Sequence, residues 1–186
     1  MSNFFIYETS LQGLMVVERN KISDMRGYLE RIYCSSELKD AGWHGLISQI
    51  NHTVTKEMGT IRGLHYQKPP HAEMKLITCL NGAIWDVAVD LREGSPTFLR
   101  WHAEMLSEEN NRALLLPKGF AHGFQTLSDN CELIYLHSSP YMVEYEGGIR
   151  YDDPKINIQW PLHISQVSPR DQSHAWLGNS FGGVKP

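Results

Sequence analysis

Short apolar or alternating runs recur along the chain with turn residues between them: LMVVE, YLERIYC, LISQIN, KLITCL, AIWDVAVDL, RALLLP, GFQTL, CELIYLH and INIQW. Residues two apart share one face of a strand, so these runs predict a succession of short strands, each with a face turned to a core. The separators DMRG, KEMGT, NGA, REGSP and LPKG supply the Gly, Pro and Asn that chain reversals demand. Helix signals are sparse. SSELKDAG has a Ser start and a Gly stop, LSEENNRA begins as a capped turn, and a third short helix is predicted after Ser168 in SPRDQSHAWLG. No repeat, low-complexity tract or linker divides the sequence, and 186 residues suit one compact domain, residues 1–186. The expectation is an all-β domain with a few short helices; periodicity alone leaves sandwich, barrel and jelly roll open.

Composition narrows the class. A hydrophobic fraction of 41% and a charged fraction of 20% are those of an ordinary globular protein. With a net charge of -4 and no basic run, the chain is not expected to bind nucleic acid through its phosphates, so any anionic ligand must be held by individually placed cations. No apolar stretch reaches the ~18 residues of a membrane span, and the first residues lack a basic leader with a long apolar core. No membrane partner and a cytosolic location are therefore expected. Cys34, Cys79 and Cys131 are odd in number, far apart and set in strand-like surroundings. They are predicted to be reduced and buried, with no adjacent cation to make any of them a nucleophile.

Ionisable residues collect between Gly59 and Arg92, where Arg62, His65, His71, Glu73 and Lys75 stand close together. A strand here would put Arg62 and Leu64 on one face and Ile61, Gly63 and His65 on the other, and the same parity joins Glu73 to Lys75. Three readings compete for the cluster. His65 could be a core histidine satisfied by a backbone carbonyl. A metal could be held by His65, His71, Glu73 and His122, against which stand the five residues between His65 and His71 and the ammonium of Lys75 nearby. The third reading gives these residues acid–base and electrostatic work.

Four ordered stretches favour the third. GTIRGLHYQKPPHAEMKL, DVAVDLREGSPTF, PKGFAHGF and GIRYDDPKINIQWP resemble the dTDP-4-dehydrorhamnose 3,5-epimerase family, and PKGFAHGF alone resembles the second signature of the cupins. The similarity runs from about Ser23 to Asp171, most of the chain. It implies a cupin-type jelly roll, a homodimer, no metal or other cofactor, and a nucleoside-diphosphate 4-keto-6-deoxyhexose as substrate. It further implies His65 as base, Asp171 in SPRDQ as its orienting carboxylate, Lys75 beside the ketone and Tyr135 as acid. Arg62 matches a diphosphate-binding position, Arg26 a cation reaching the partner's site, and His122 a histidine lining the cavity. Gln49 and Asn51 resemble polar positions contacting diphosphate or sugar.

The chemistry fits such a set. Taking a proton from a carbon beside a ketone moves charge onto the oxygen, so a base and a cation or donor are both needed. Carbons 3 and 5 both flank the ketone at carbon 4, and inversion requires a donor on the face opposite the base. The chain departs from the resemblance after Tyr135: LHSSPYMVEYEGG stands where relatives more often carry a Lys-Cys-Thr type of segment and a tyrosine pair, although Tyr141 falls near one of those tyrosines. Mono-epimerases at carbon 3 or 5, epimerases of CDP- or GDP-linked sugars, a metal-dependent cupin enzyme and a non-catalytic sugar-nucleotide-binding protein remain as alternatives.

Overall fold

The computed structural model describes residues 3–186. In chain order the strands are β1 (Phe4–Glu8), β2 (Met15–Arg19), β3 (Lys21–Asp24), β4 (Gly27–Glu30), β5 (Gln49–Thr55), β6 (Ile61–Gln67) and β7 (Lys75–Asn81). They continue with β8 (Ala83–Asp90), β9 (Trp101–Ser107), β10 (Arg112–Leu116), β11 (Phe120–Thr126), β12 (Cys131–His137) and β13 (Glu146–Gly148). A 3-10 turn (Val143–Tyr145) and one short helix, α1 (Pro169–Ser173), complete the set. Strands β1-β2-β10-β7-β12-β5 form one sheet, β13-β6-β11-β8-β9 a second, and β3-β4 an outlying hairpin. All the pairings between named strands are antiparallel.

Alternation along each strand builds three apolar layers. Val16, Ile77, Leu114, Leu116, Leu133 and Tyr135 of the first sheet meet Ile84, Ala88, Leu106, Phe120 and Phe124 of the second in the central core. Their sequence neighbours face outward: Val17, Leu76, Leu115 and Leu136 pack under Leu38 and Trp43, and Leu64, Val87, Val89 and Ala121 pack under Ile149, Ile156 and Ile158. Both faces of each sheet are thus covered along part of their length, which explains why KLITCL and RALLLP read as continuous apolar runs. The result is a jelly roll of the cupin type. Among the described residues no helix is long and apolar enough to cross a membrane.

Some sequence expectations fail locally. SSELKDAG forms turns, LSEENNRA joins the end of β9 to the start of β10 through a turn at 108–110, and only the segment after Ser168 becomes helical, because neither of the first two buries an amphipathic stripe long enough to offset helix nucleation. INIQW is irregular; Ile156 and Ile158 are buried as a lid on the second sheet without joining its ladder. Cys34 lies half-buried in a loop, while Cys79 and Cys131 are buried on strands, and burial pushes the Cys79 thiol up to about 12. That thiol is no nucleophile.

Candidate active site

Strict alternation on β6 would separate Arg62 from His65, yet both line one cavity. The register against β11 explains it: His65 lies opposite His122 and Gly63 opposite Gly123, so two steps on β6 match one on β11. This bulge resets the parity, turning His65 and His122 inward together with Arg62 and Phe124 beyond it. Leu64 is thereby fully buried on the outer side. Such a bulge leaves no hydrophobic signature in the sequence, apart from glycine at both crossing points. A Cβ on Gly63 would fall 2.6 Å from the Cα of Gly123, and Gly63 also holds φ at +113°.

The cavity opens between the two sheets with a main lobe of about 530 Å³ and an adjoining lobe of about 270 Å³ that share Asn51, His65, Lys75 and His137. His65 enters from the second sheet, whereas Lys75 and Tyr135 enter from the first. Base and acid candidates therefore stand on opposite walls. His65 Nε2 is 2.7 Å from Asp171 Oδ1, and the Gly63 amide donates to Asp171 Oδ2 at 3.1 Å. Asp171 reaches this position because Ser168 caps α1, accepting from the Asp171 amide at 3.1 Å, with Pro169 at the first helical position. The preceding segment is tied to β6 by the Ile61 amide, which donates to the carbonyl of Gln166.

Burial opposes the charge on Asp171, but the hydrogen bonds from His65 and the Gly63 amide outweigh it and hold the carboxyl below its ordinary range. An ionised carboxylate only accepts, so His65 carries its proton on Nε2 and leaves Nδ1 as the basic nitrogen. Burial, aided by the negative charge of Asp86, drives the Tyr135 phenol well above its usual value, which keeps its proton in place. Lys75 is buried, with Nζ 3.1 Å from Glu73 Oε1 and 3.3 Å from the His65 carbonyl. The parity that joined Glu73 to Lys75 holds.

Arg62 lines the main lobe and donates from Nε to Thr55 Oγ1 at 2.9 Å. His122 is buried with Nε2 2.7 Å from Asp86 Oδ1, a carboxyl that burial pushes up. Gln49 and Tyr141 line the smaller lobe; the Gln49 amide donates to Asn51 Oδ1 at 3.0 Å and its carbonyl accepts from the Tyr141 backbone at 2.9 Å. Arg26 alone among the predicted residues stands outside both lobes, at the tip of the β3–β4 hairpin, where it is exposed and paired with Asp24 at 2.6 Å.

Sequence reasoning left several lining residues unassigned. His137 sits two residues beyond Tyr135 on the same face of β12 and binds Glu73 through Nδ1 at 3.1 Å. Arg170 lines the main lobe and forms an ion pair with Glu146 of the smaller one. The period-two rule, applied from Tyr135, was the available signal for His137; Arg170 arrives through the tertiary path of α1 and had none. As for metals, His71 packs at a tilt against the Tyr145 ring and Glu73 is taken by Lys75 and His137, so the four candidate ligands are not gathered. Among the described residues only His65, Asp171 and His174 bring ligand atoms within 4.8 Å of one another, and an ion there would compete with the hydrogen bond that orients His65.

A jelly roll whose interior holds an imidazole–carboxylate pair on one wall and a buried phenol and ammonium on the other defines a cupin-type enzyme of the epimerase class. The family model described as dTDP-4-dehydrorhamnose 3,5-epimerase matches residues 8–179. The chain belongs to that family. It is 38% identical over 179 residues to a dTDP-4-dehydrorhamnose 3,5-epimerase of Sinorhizobium fredii, covering 95% of this chain and 91% of the relative. The crystal structure of dTDP-4-dehydrorhamnose 3,5-epimerase from Bacillus anthracis, with TDP and PPi bound, superposes with a TM-score of 0.90 at 38% identity, covering 94% and 99% of the two chains. A 3'-monoepimerase from Streptomyces bikiniensis in complex with dTDP-quinovose gives a TM-score of 0.84 at 34% identity, covering 90% and 85%.

Proposed function

We propose that the chain inverts carbons 3 and 5 of a nucleoside-diphosphate 4-keto-6-deoxyhexose, converting dTDP-4-dehydro-6-deoxy-D-glucose to dTDP-4-dehydro-L-rhamnose in the cytosol. The observation that carries the reading is the placement of His65 with Asp171 on one wall and Tyr135 with Lys75 on the other. His65 Nδ1 takes the proton from the carbon beside the ketone. The bonding pair moves into the enolate, whose oxygen meets the Lys75 ammonium. Tyr135 then gives its phenolic proton to the opposite face, and solvent reprotonates the phenolate while His65 releases its proton. Because both carbons flank one ketone, the same set serves each in turn. Arg62 holds the diphosphate, and Gln49, Asn51, His122 and Tyr141 line the path of sugar and nucleotide.

The mechanism requires no metal or other cofactor. In deuterated water with a chelator present, the 4-keto-6-deoxyglucose nucleotide gains solvent deuterium at carbons 3 and 5. A chelator that stops exchange, restored by added metal, would sink the metal-independent reading. A second reading, inversion at carbon 3 alone, is favoured by the similarity to the 3'-monoepimerase. Exchange confined to carbon 3 selects it.

The active unit in this proposal is a homodimer in which Arg26 crosses to the partner's site. The exposed position of Arg26 outside its own cavity supports this, as do the exposed apolar side chains of the same hairpin, Ile22, Tyr28 and Leu29. Mixing Arg26→Ala with His65→Asn tests it. Crossing arginines leave one intact site in each mixed dimer, so activity recovers to about a quarter of wild type after free subunit exchange at equal amounts. Mixtures no more active than their components put Arg26 elsewhere.

A further inference from the structure

Resting on the reading above, we propose that His137, held by Glu73, contacts the sugar hydroxyl on the carbon next to the ketone and thereby sets the efficiency of chemistry at carbon 3. His137 and Tyr135 share the inner face of β12, with rings 6.2 Å apart and 21° from parallel. In the ladder His137 lies opposite Lys75 on β7 and Gln49 on β5, so it is the side-chain neighbour of the group that meets the ketone oxygen. It lines both lobes of the cavity.

Its orientation is fixed from behind. Glu73 takes His137 Nδ1 at 3.1 Å and Gln67 Nε2 at 3.1 Å on one oxygen, and the Lys75 ammonium at 3.1 Å on the other. Burial works against the Glu73 charge, but His137 and Lys75 outweigh it and keep the carboxyl below its ordinary range. An ionised carboxylate accepts only, so Nδ1 of His137 carries a proton, and in the neutral ring Nε2 is the acceptor. That nitrogen has one contact, Asn51 Nδ2 at 3.5 Å, at the outer limit of a hydrogen bond. A preorganised acceptor beside the ketone-binding ammonium suits a hydroxyl donor. Of the two carbons flanking the ketone, carbon 3 bears a hydroxyl, whereas carbon 5 bears a methyl group and the ring oxygen. The site can therefore distinguish the two sides of the ketone by chemistry as well as by shape.

The test pairs a change in the protein with one in the substrate. Deuterium uptake at carbon 3 is measured for wild type, His137→Phe and His137→Gln, on the 4-keto-6-deoxyglucose nucleotide and on its 3-deoxy analogue. His137→Phe is expected to slow uptake on the 3-hydroxy substrate at least about tenfold and on the 3-deoxy analogue less than about twofold, the signature of a lost contact with that hydroxyl. His137→Gln, which keeps an acceptor, stays within about threefold of wild type on both. Equal losses on the two substrates, or none on either, overturn the inference, and so does loss of the fold in both variants. Wild type that exchanges neither carbon removes the epimerase reading itself, a result distinct from these.

Discussion

His65→Asn is expected to abolish deuterium uptake at every carbon of the 4-keto substrate, a fall of about 10²–10⁴, the range that removal of a general base produces. The companion variant His65→Gln, whose amide nitrogen can take the place of Nε2, is expected to lose uptake equally while it keeps a donor for Asp171 and a thermal midpoint near that of wild type. His65→Ala instead leaves the Asp171 carboxylate with the Gly63 amide and no side-chain donor from β6. Loss of exchange with an unchanged midpoint assigns the defect to chemistry. If uptake in His65→Asn matches wild type, His65 is not the base and the mechanism falls with it. The expectation rests on the proton carried by Nε2: with that nitrogen donating to Asp171 at 2.7 Å, Nδ1 is the ring's sole basic position.

Tyr135→Phe gives a different pattern. Deprotonation by His65 precedes delivery from the opposite wall, so the variant is expected to retain deuterium uptake within about tenfold of wild type while inversion falls about 10²–10⁴. The product is substrate that carries deuterium with its original configuration, distinguishable by proton spectra and by coupling constants around the ring. Removing the hydroxyl leaves the aromatic ring packed between His122 and His137, so little stability is lost. Inversion at the wild-type rate would show that the opposite face is served by another donor. Exchange and inversion falling together would place Tyr135 in substrate binding instead.

The fold was readable wherever one face of a strand met the central core and alternation was undisturbed, as in CELIYLH, where Cys131, Leu133 and Tyr135 point inward and Ile134 and Leu136 outward. It was less readable at the edges. FFIYE forms β1 although Phe4 is its sole buried residue, and WHAEMLS forms β9 with an exposed Met105, because edge strands are recruited by their neighbours' backbone and not by a hydrophobic pattern. The site shows the same division. His65, Lys75, Tyr135 and Asp171 were named from resemblance; Lys75 and Tyr135 sit on strands whose runs were legible, whereas β6 under His65 has no such run and Asp171 lies on the short helix. Their meeting depends on a bulge and a capped turn that join segments 106 residues apart, which no local period records. His137 lay in the stretch where the chain departs from its relatives, so resemblance gave it no role.

The contact between Gly63 and Gly123 sets a boundary for anyone altering this protein. A side chain at either position must push apart the two backbones that carry His65 and His122, and Gly63 also supplies the amide that steadies Asp171. Libraries meant to broaden the range of accepted sugars do better to spare that crossing and to vary the opposite wall, where Gln49, Asn51 and His137 present replaceable side chains from regular ladder. One sheet then serves as fixed anvil and the other as interchangeable die.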